Sequence, residues 1–122
     1  MSKIAFIFPG QGAQTCGMGK DFYEQTETGR KVFDKATELL GFSGFEPNDR
    51  LDITEYTQAA MVTTSIAMMK VLEENGVKPD VAAGLSLGEY CALAAAGVMS
   101  EEDAITTVRQ RGIFMQEEVP AG

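Results

Sequence analysis

The order of apolar and polar positions divides the chain into short continuous apolar runs and longer stretches whose apolar residues recur three and four apart. Lys3-Ile4-Ala5-Phe6-Ile7-Phe8 belongs to the first kind, almost uninterrupted and cut by Pro9-Gly10, and reads as a central parallel strand buried on both faces. Asp80 to Gly84 reads as a second strand. Between them the periodicity predicts two helices. One opens at Asp21, with Phe22 and Tyr23 as anchors and Val32, Phe33, Ala36, Leu39 and Leu40 on one face, and stops at Gly41. A loop with Gly44, Pro47 and Asn48 follows, and Leu51 to Tyr56 fits a turn or a short helix equally well. Thr57 has the character of an N-cap for a second helix reaching Glu74, closed by Gly76 and Pro79. Its expected buried stripe is Ala60, Met61, Thr64, Ala67, Met68, Val71 and Leu72, with the methionines as core filler.

After the second strand comes Gly84-Leu85-Ser86-Leu87-Gly88-Glu89-Tyr90, a G-x-S-x-G sequence, then an alanine-rich run to Ala96 that Gly97 ends. Strand, tight turn and helix are the setting of a nucleophile elbow, in which flanking glycines remove side chains that would strike neighbouring backbone. A helix starting at the serine directs its free N–H groups at an oxygen that becomes negative during acyl attack. Ser100-Glu101-Glu102-Asp103 is a capping-box signal, and the helix it opens extends to Glu117. This order of elements implies a helix-rich α/β layer structure with parallel strands. There is no internal repeat, low-complexity tract or linker.

Length and composition narrow the classes. At 122 residues, 44% hydrophobic and 23% charged, the chain suits one ordinary globular domain. Its apolar runs are too short to span a bilayer, and no signal peptide is visible at the start. A net charge of −8 without a basic block argues against nucleic acid or an anionic membrane as partner. Cys16 and Cys91 lack metal-ligand spacing and are too few for a disulfide framework, so both read as reduced, in a cytoplasmic setting, with Cys91 as a packing residue and no metal site. Histidine is absent.

In open α/β sheets ligands sit beyond the carboxyl ends of the strands. Here those ends carry Ser86 and the loop Pro9 to Gly19, which holds four glycines in eleven residues. That loop lacks both the Gly-Lys-Ser/Thr ending of a P-loop and G-x-G-x-x-G spacing, so phosphate cradling is disfavoured. The two turns are expected side by side, making main-chain N–H groups near Gln11 and at Leu87 candidates for a two-donor oxyanion hole. On the last helix Ala104, Val108 and Met115 define an apolar face. Arg111 lies about 50° from its centre, whereas Arg109 lies over roughly 100° away and is expected in solvent. An inward guanidinium needs an anion: Glu89 or another acid in a buried ion pair, unless the side chain snorkels out, or a substrate carboxylate gripped by the planar fork.

Four motifs in order, Pro9-Gly10-Gln11-Gly12-Ala13-Gln14, Tyr56-Thr57-Gln58, Gly84 to Tyr90, and Arg111-Gly112 with Met115-Gln116, resemble those of the malonyl-CoA:acyl carrier protein transacylases. The acyltransferase domains of fatty-acid and polyketide synthases share them. The resemblance covers essentially all of the chain. It implies that Ser86 forms a malonyl ester, that the N–H groups of Gln11 and Leu87 form the oxyanion hole, that Arg111 holds the malonyl carboxylate, and that Gln58 lines or supports the site. It further implies a ping-pong transfer from coenzyme A to the phosphopantetheine thiol of acyl carrier protein, with malonyl-CoA as substrate and no cofactor.

Two departures bear on this. Leu85 stands where the family usually has histidine, a residue that is not the base. Family members are also considerably longer, and their later part carries the base histidine, further strands and a ferredoxin-like subdomain. Residues 1–122 therefore read as one incomplete domain, the N-terminal part of an α/β-hydrolase-like acyltransferase core without that subdomain. Such a chain is expected to lack turnover and to pair with its missing C-terminal half or with itself. Two other readings stay open: a serine hydrolase or thioesterase-like enzyme, and a non-catalytic interaction module that keeps the fold.

Overall fold

The computed structural model describes residues 3–15, 17–42 and 53–118. Strand β1 (Ala5–Phe8) is followed by α1 (Lys20–Gln25), α2 (Glu27–Leu40), α3 (Thr54–Glu74), β2 (Val81–Gly84), α4 (Gly88–Ala95) and α5 (Glu101–Glu118). The two strands pair in parallel with Phe6 opposite Ala82 and Phe8 opposite Gly84, so both strands end at the same edge of the molecule. Asp80 lies just outside β2 and anchors the sheet's other end, its carboxylate accepting from the Ile4 N–H at 2.7 Å.

The expected helix from Asp21 to Leu40 is broken at Thr26. Its hydroxyl accepts from the Gly29 N–H at 3.0 Å and donates to the Phe22 carbonyl, closing α1 and capping α2 at once. Helix α3 begins at Thr54, not after Thr57, so the first turn takes in Tyr56 and puts Thr57 inside the helix. Thr57 is buried, and its hydroxyl bonds back to the Ile53 carbonyl at 3.0 Å. The expected single stripe on α3 is also corrected. Gln58 to Thr64 is buried on every side because α3 packs against α2, α4 and α5, while Met68 and Leu72, assigned to the stripe, are partly exposed. Thr63 and Thr64 tolerate burial because each hydroxyl donates to the carbonyl four residues earlier, at 2.8 and 2.9 Å. At the amino end of α5, Ser100 Oγ accepts from the Asp103 N–H at 3.1 Å, as the capping signal implied. Ion pairs from Lys70 to Glu101 and from Lys35 to Glu102 tie that end to α3 and α2.

Strand β1 is not buried on both faces. Phe6 and Phe8 enter the core with Ile66, Leu87 and Val108, but the opposite face, made of Ala5, Ile7, Val81 and Ala83, is exposed, Ile7 at 78%. An all-apolar sheet face in water favours association. The apparent mass in analytical ultracentrifugation is expected to rise with concentration, and Ile7→Lys to shift it toward monomer with helix content unchanged. A concentration-independent monomer would contradict this.

Candidate active site

The turn between β2 and α4 is fixed by two glycines. A Cβ on Gly84 would overlap the Gly88 carbonyl and the Glu89 nitrogen; one on Gly88 would overlap the Phe8 carbonyl and lie 2.8 Å from that of Pro9. Only glycine at both positions lets the end of β2, the start of α4 and the end of β1 meet. Between them Ser86 adopts φ 54, the one positive φ outside glycine among the described residues. Its neighbours hold it there. Leu85 N–H donates to the Phe8 carbonyl at 3.1 Å, Gly88 N–H to the Leu85 carbonyl at 2.9 Å, and the Leu87 side chain is fully buried beneath the turn. Ser86 itself is exposed. The helix starts at Gly88 instead of at the serine, since a left-handed residue cannot belong to a right-handed helix. Leu85 is 71% exposed and shapes the turn through its main chain.

The loop after β1 lies against this turn, as expected: a Cβ on Gly10 would sit 2.8 Å from the Leu85 carbonyl. Gln11 fastens the loop to α3 through Nε2, which donates to Thr54 Oγ1 at 3.1 Å. Among the described residues, neither the Gln11 nor the Leu87 main-chain N–H has an acceptor in the protein.

Arg111 reaches this turn from α5. Its Nη2 donates to Ser86 Oγ at 3.0 Å and its Nη1 to Gln58 Oε1 at 2.6 Å, with the guanidinium 5.8 Å from the centre of the Tyr90 ring. Ser86, Gln58 and Arg111 are thus brought together from α4's turn, α3 and α5. The buried ion pair with Glu89 is not formed: Glu89 is exposed, and among the described residues no carboxylate lies within 4.0 Å of the guanidinium. Arg111 is a half-buried cation whose partners here are all neutral. Arg109 is not simply solvated as expected but lies 5.1 Å from the rings of both Phe42 and Tyr56.

Sequence reasoning missed Met115 as a polar contact. Placed on the apolar face by periodicity, it is 38% exposed, and its sulfur accepts from Gln58 Nε2 at 2.9 Å. Its position four residues after Arg111, one turn along the same helix, was the available signal. Among the described residues there is no cluster of three or more metal-ligating side chains, and no helix is long and apolar enough to cross a membrane.

Cys91 is the packing residue it was expected to be, buried on α4; Cys16 lies outside the described residues. Burial pushes the Cys91 thiol up from its ordinary 9.0 to about 12. The neutral thiol is favoured by folding, so its contribution to stability is complete below pH 9.0 and is lost as pH rises toward about 12. At pH 8, peptide mapping after treatment with a thiol reagent should find Cys91 unlabelled in the native chain and labelled in denaturant. Rapid native labelling of Cys91 would refute this.

Residues 5–122 match the family model described as the acyl transferase domain. The chain is 51% identical to the malonyl CoA-acyl carrier protein transacylase of Bacillus subtilis (strain 168), in an alignment covering all of this chain and 40% of that protein. Among solved structures, MCAT from Streptococcus pneumoniae superposes with a TM-score of 0.93 at 46% identity, over 97% of this chain and 40% of the other. A malonyl-transacylase solved in complex with its type II PKS acyl-carrier protein superposes at 0.90 and 40% identity, over 99% of this chain and 41% of that one. The chain spans about 40% of the length of the curated relative it matches.

Proposed function

The chain belongs to the acyl transferase domain family, and from that membership we propose that it is the nucleophile-bearing part of a malonyl-CoA:acyl carrier protein transacylase of fatty-acid synthesis. The observation that carries this reading is the bond from Arg111 Nη2 to Ser86 Oγ, which sets a cation with no carboxylate partner among the described residues beside the exposed hydroxyl of a residue held at positive φ. Residues 1–122 are read as one partial core, with the strand, elbow and helix arrangement of α/β-hydrolases as its working part.

In this mechanism the malonyl carboxylate takes the guanidinium fork of Arg111, displacing Nη2 from Ser86. The thioester carbonyl then lies over Ser86. Oγ attacks it, and the oxyanion is received by the N–H groups of Gln11 and Leu87, which have no competing protein acceptor among the described residues. Collapse breaks the carbon–sulfur bond, and coenzyme A leaves as the thiol. The phosphopantetheine thiol of acyl carrier protein attacks the ester in the second half-reaction and restores the serine. Gln58 supports the site by holding Nη1.

Each half-reaction moves a proton off a nucleophile, and this requires a base. No histidine exists in the chain to take it. Acylation of Ser86 with solvent as the proton acceptor is therefore expected to be slow in the chain by itself, and transfer onward to be slow too, so that turnover is not sustained. Exposure to malonyl-CoA followed by mass spectrometry tests this: a malonyl adduct on Ser86, missing from Ser86→Ala, supports the reading. Release of free malonate would favour a serine hydrolase. No adduct, even after addition of the remaining portion of a transacylase relative, would leave a non-catalytic module. Sustained transfer to acyl carrier protein by the 122 residues alone would refute the need for an external base.

A further inference from the structure

We infer that Met115 is a positioning residue that sets the orientation of the Gln58 amide and, through it, the direction in which Arg111 presents its free edge. The inference rests on the reading of Arg111 as a carboxylate anchor. Gln58 is 1% exposed, so water does not complete its hydrogen bonds. Its amide can be seated in two ways, related by exchange of oxygen and nitrogen. With Oε1 toward α5's Arg111, the oxygen accepts from Nη1 at 2.6 Å and the NH2 group must donate elsewhere; the acceptor present is Met115 Sδ at 2.9 Å. In the other seating the NH2 would confront a guanidinium, donor against donor, and the oxygen would confront a thioether, which has no proton to give. Arg111 and Met115, one turn apart on α5, therefore specify one seating together.

A thioether is a weak acceptor, so the bond's value is selective more than energetic. With the amide held, Nη1 is committed to Gln58, and Nη2 stays directed at Ser86, where an incoming carboxylate meets it. Burial does not explain Met115's placement, since 38% of it is exposed.

The test uses Met115→Leu, which keeps volume and loses the acceptor. In NMR of the whole chain, solvent exchange of the Gln58 side-chain NH2 should accelerate about tenfold. Malonyl-CoA affinity should fall about fivefold with acetyl-CoA affinity unchanged, and in a Gln58→Leu background Met115→Leu should have no further effect. An unchanged exchange rate overturns the inference. Equal loss for both thioesters also overturns it, because that marks a packing role, and so does an unchanged malonyl-CoA affinity where Arg111→Ala weakens it. If Arg111→Ala leaves that affinity unchanged as well, the carboxylate reading fails, and the exchange rate alone decides the amide contact.

Discussion

Gly84→Ala is expected to lower the thermal midpoint by about 10 °C or more, the equivalent of roughly 3 kcal/mol or above for a chain of this size. The new methyl group would overlap the Gly88 carbonyl carbon and oxygen and the Glu89 nitrogen, all of them backbone, so no side-chain rotation relieves it. Relief requires α4 to back away from β2, which would draw Leu87 and Cys91 out of the core they share with Val62, Ile66 and Val108. Gly88→Ala meets the same difficulty against the Phe8 and Pro9 carbonyls. Gly76→Ala is the control. Its φ of 85 carries the left-handed penalty of about 1 kcal/mol, but its Cβ meets nothing within 4 Å. Thermal unfolding followed by circular dichroism at one low concentration ranks the three. Equal midpoints for Gly84→Ala and Gly76→Ala would show that the elbow is not closed by contact.

Much of this site was legible in the chain because the chemistry is local. Two glycines four apart around a serine, after an apolar run and before alanines, specify the turn that is found, and the inward angle of Arg111 followed from helical periodicity alone. The same periodicity misjudged α3, because a stripe is a property of a helix with one wet side and α3 from Gln58 to Thr64 has none. It misjudged β1 in the opposite direction. A continuous apolar run implies cover on both faces, but the run says nothing about which elements supply it, and Ile7 and Val81 remain in solvent. The Thr26 break was hidden because threonine is compatible with a helix interior and becomes a cap only when its hydroxyl reaches Gly29 N–H. The partner of Arg111 was hidden for a related reason. The sequence pattern pointed to an acid for this cation, whereas the fold gives it an amide and a hydroxyl and, among the described residues, no carboxylate.

That cation makes Arg111→Ala the substitution with the largest expected effect on recognition: about a hundredfold slower formation of the malonyl adduct on Ser86, near 3 kcal/mol. The first of two consequences sets this rate, and the second falls on the free protein whichever thioester is offered. The variant loses the fork that binds the carboxylate, and it leaves Gln58 Oε1, 1% exposed with its residue, without its donor. Arg111→Lys separates charge from geometry. It keeps the cation but cannot donate to Gln58 and a carboxylate in one plane, so about a tenfold loss is expected. Acetyl-CoA supplies the internal reference, because a neutral acyl group makes no use of the guanidinium. Arg111→Ala should leave acetylation of Ser86 unchanged or raise it, since Ser86 Oγ no longer shares its lone pair with Nη2. The ratio of malonyl to acetyl adduct, read by mass spectrometry at equal thioester concentrations, therefore falls by about two orders of magnitude if Arg111 selects the acid. Parallel loss of both adducts would instead make Arg111 a structural support of the elbow, and an unchanged ratio would remove the carboxylate from its role.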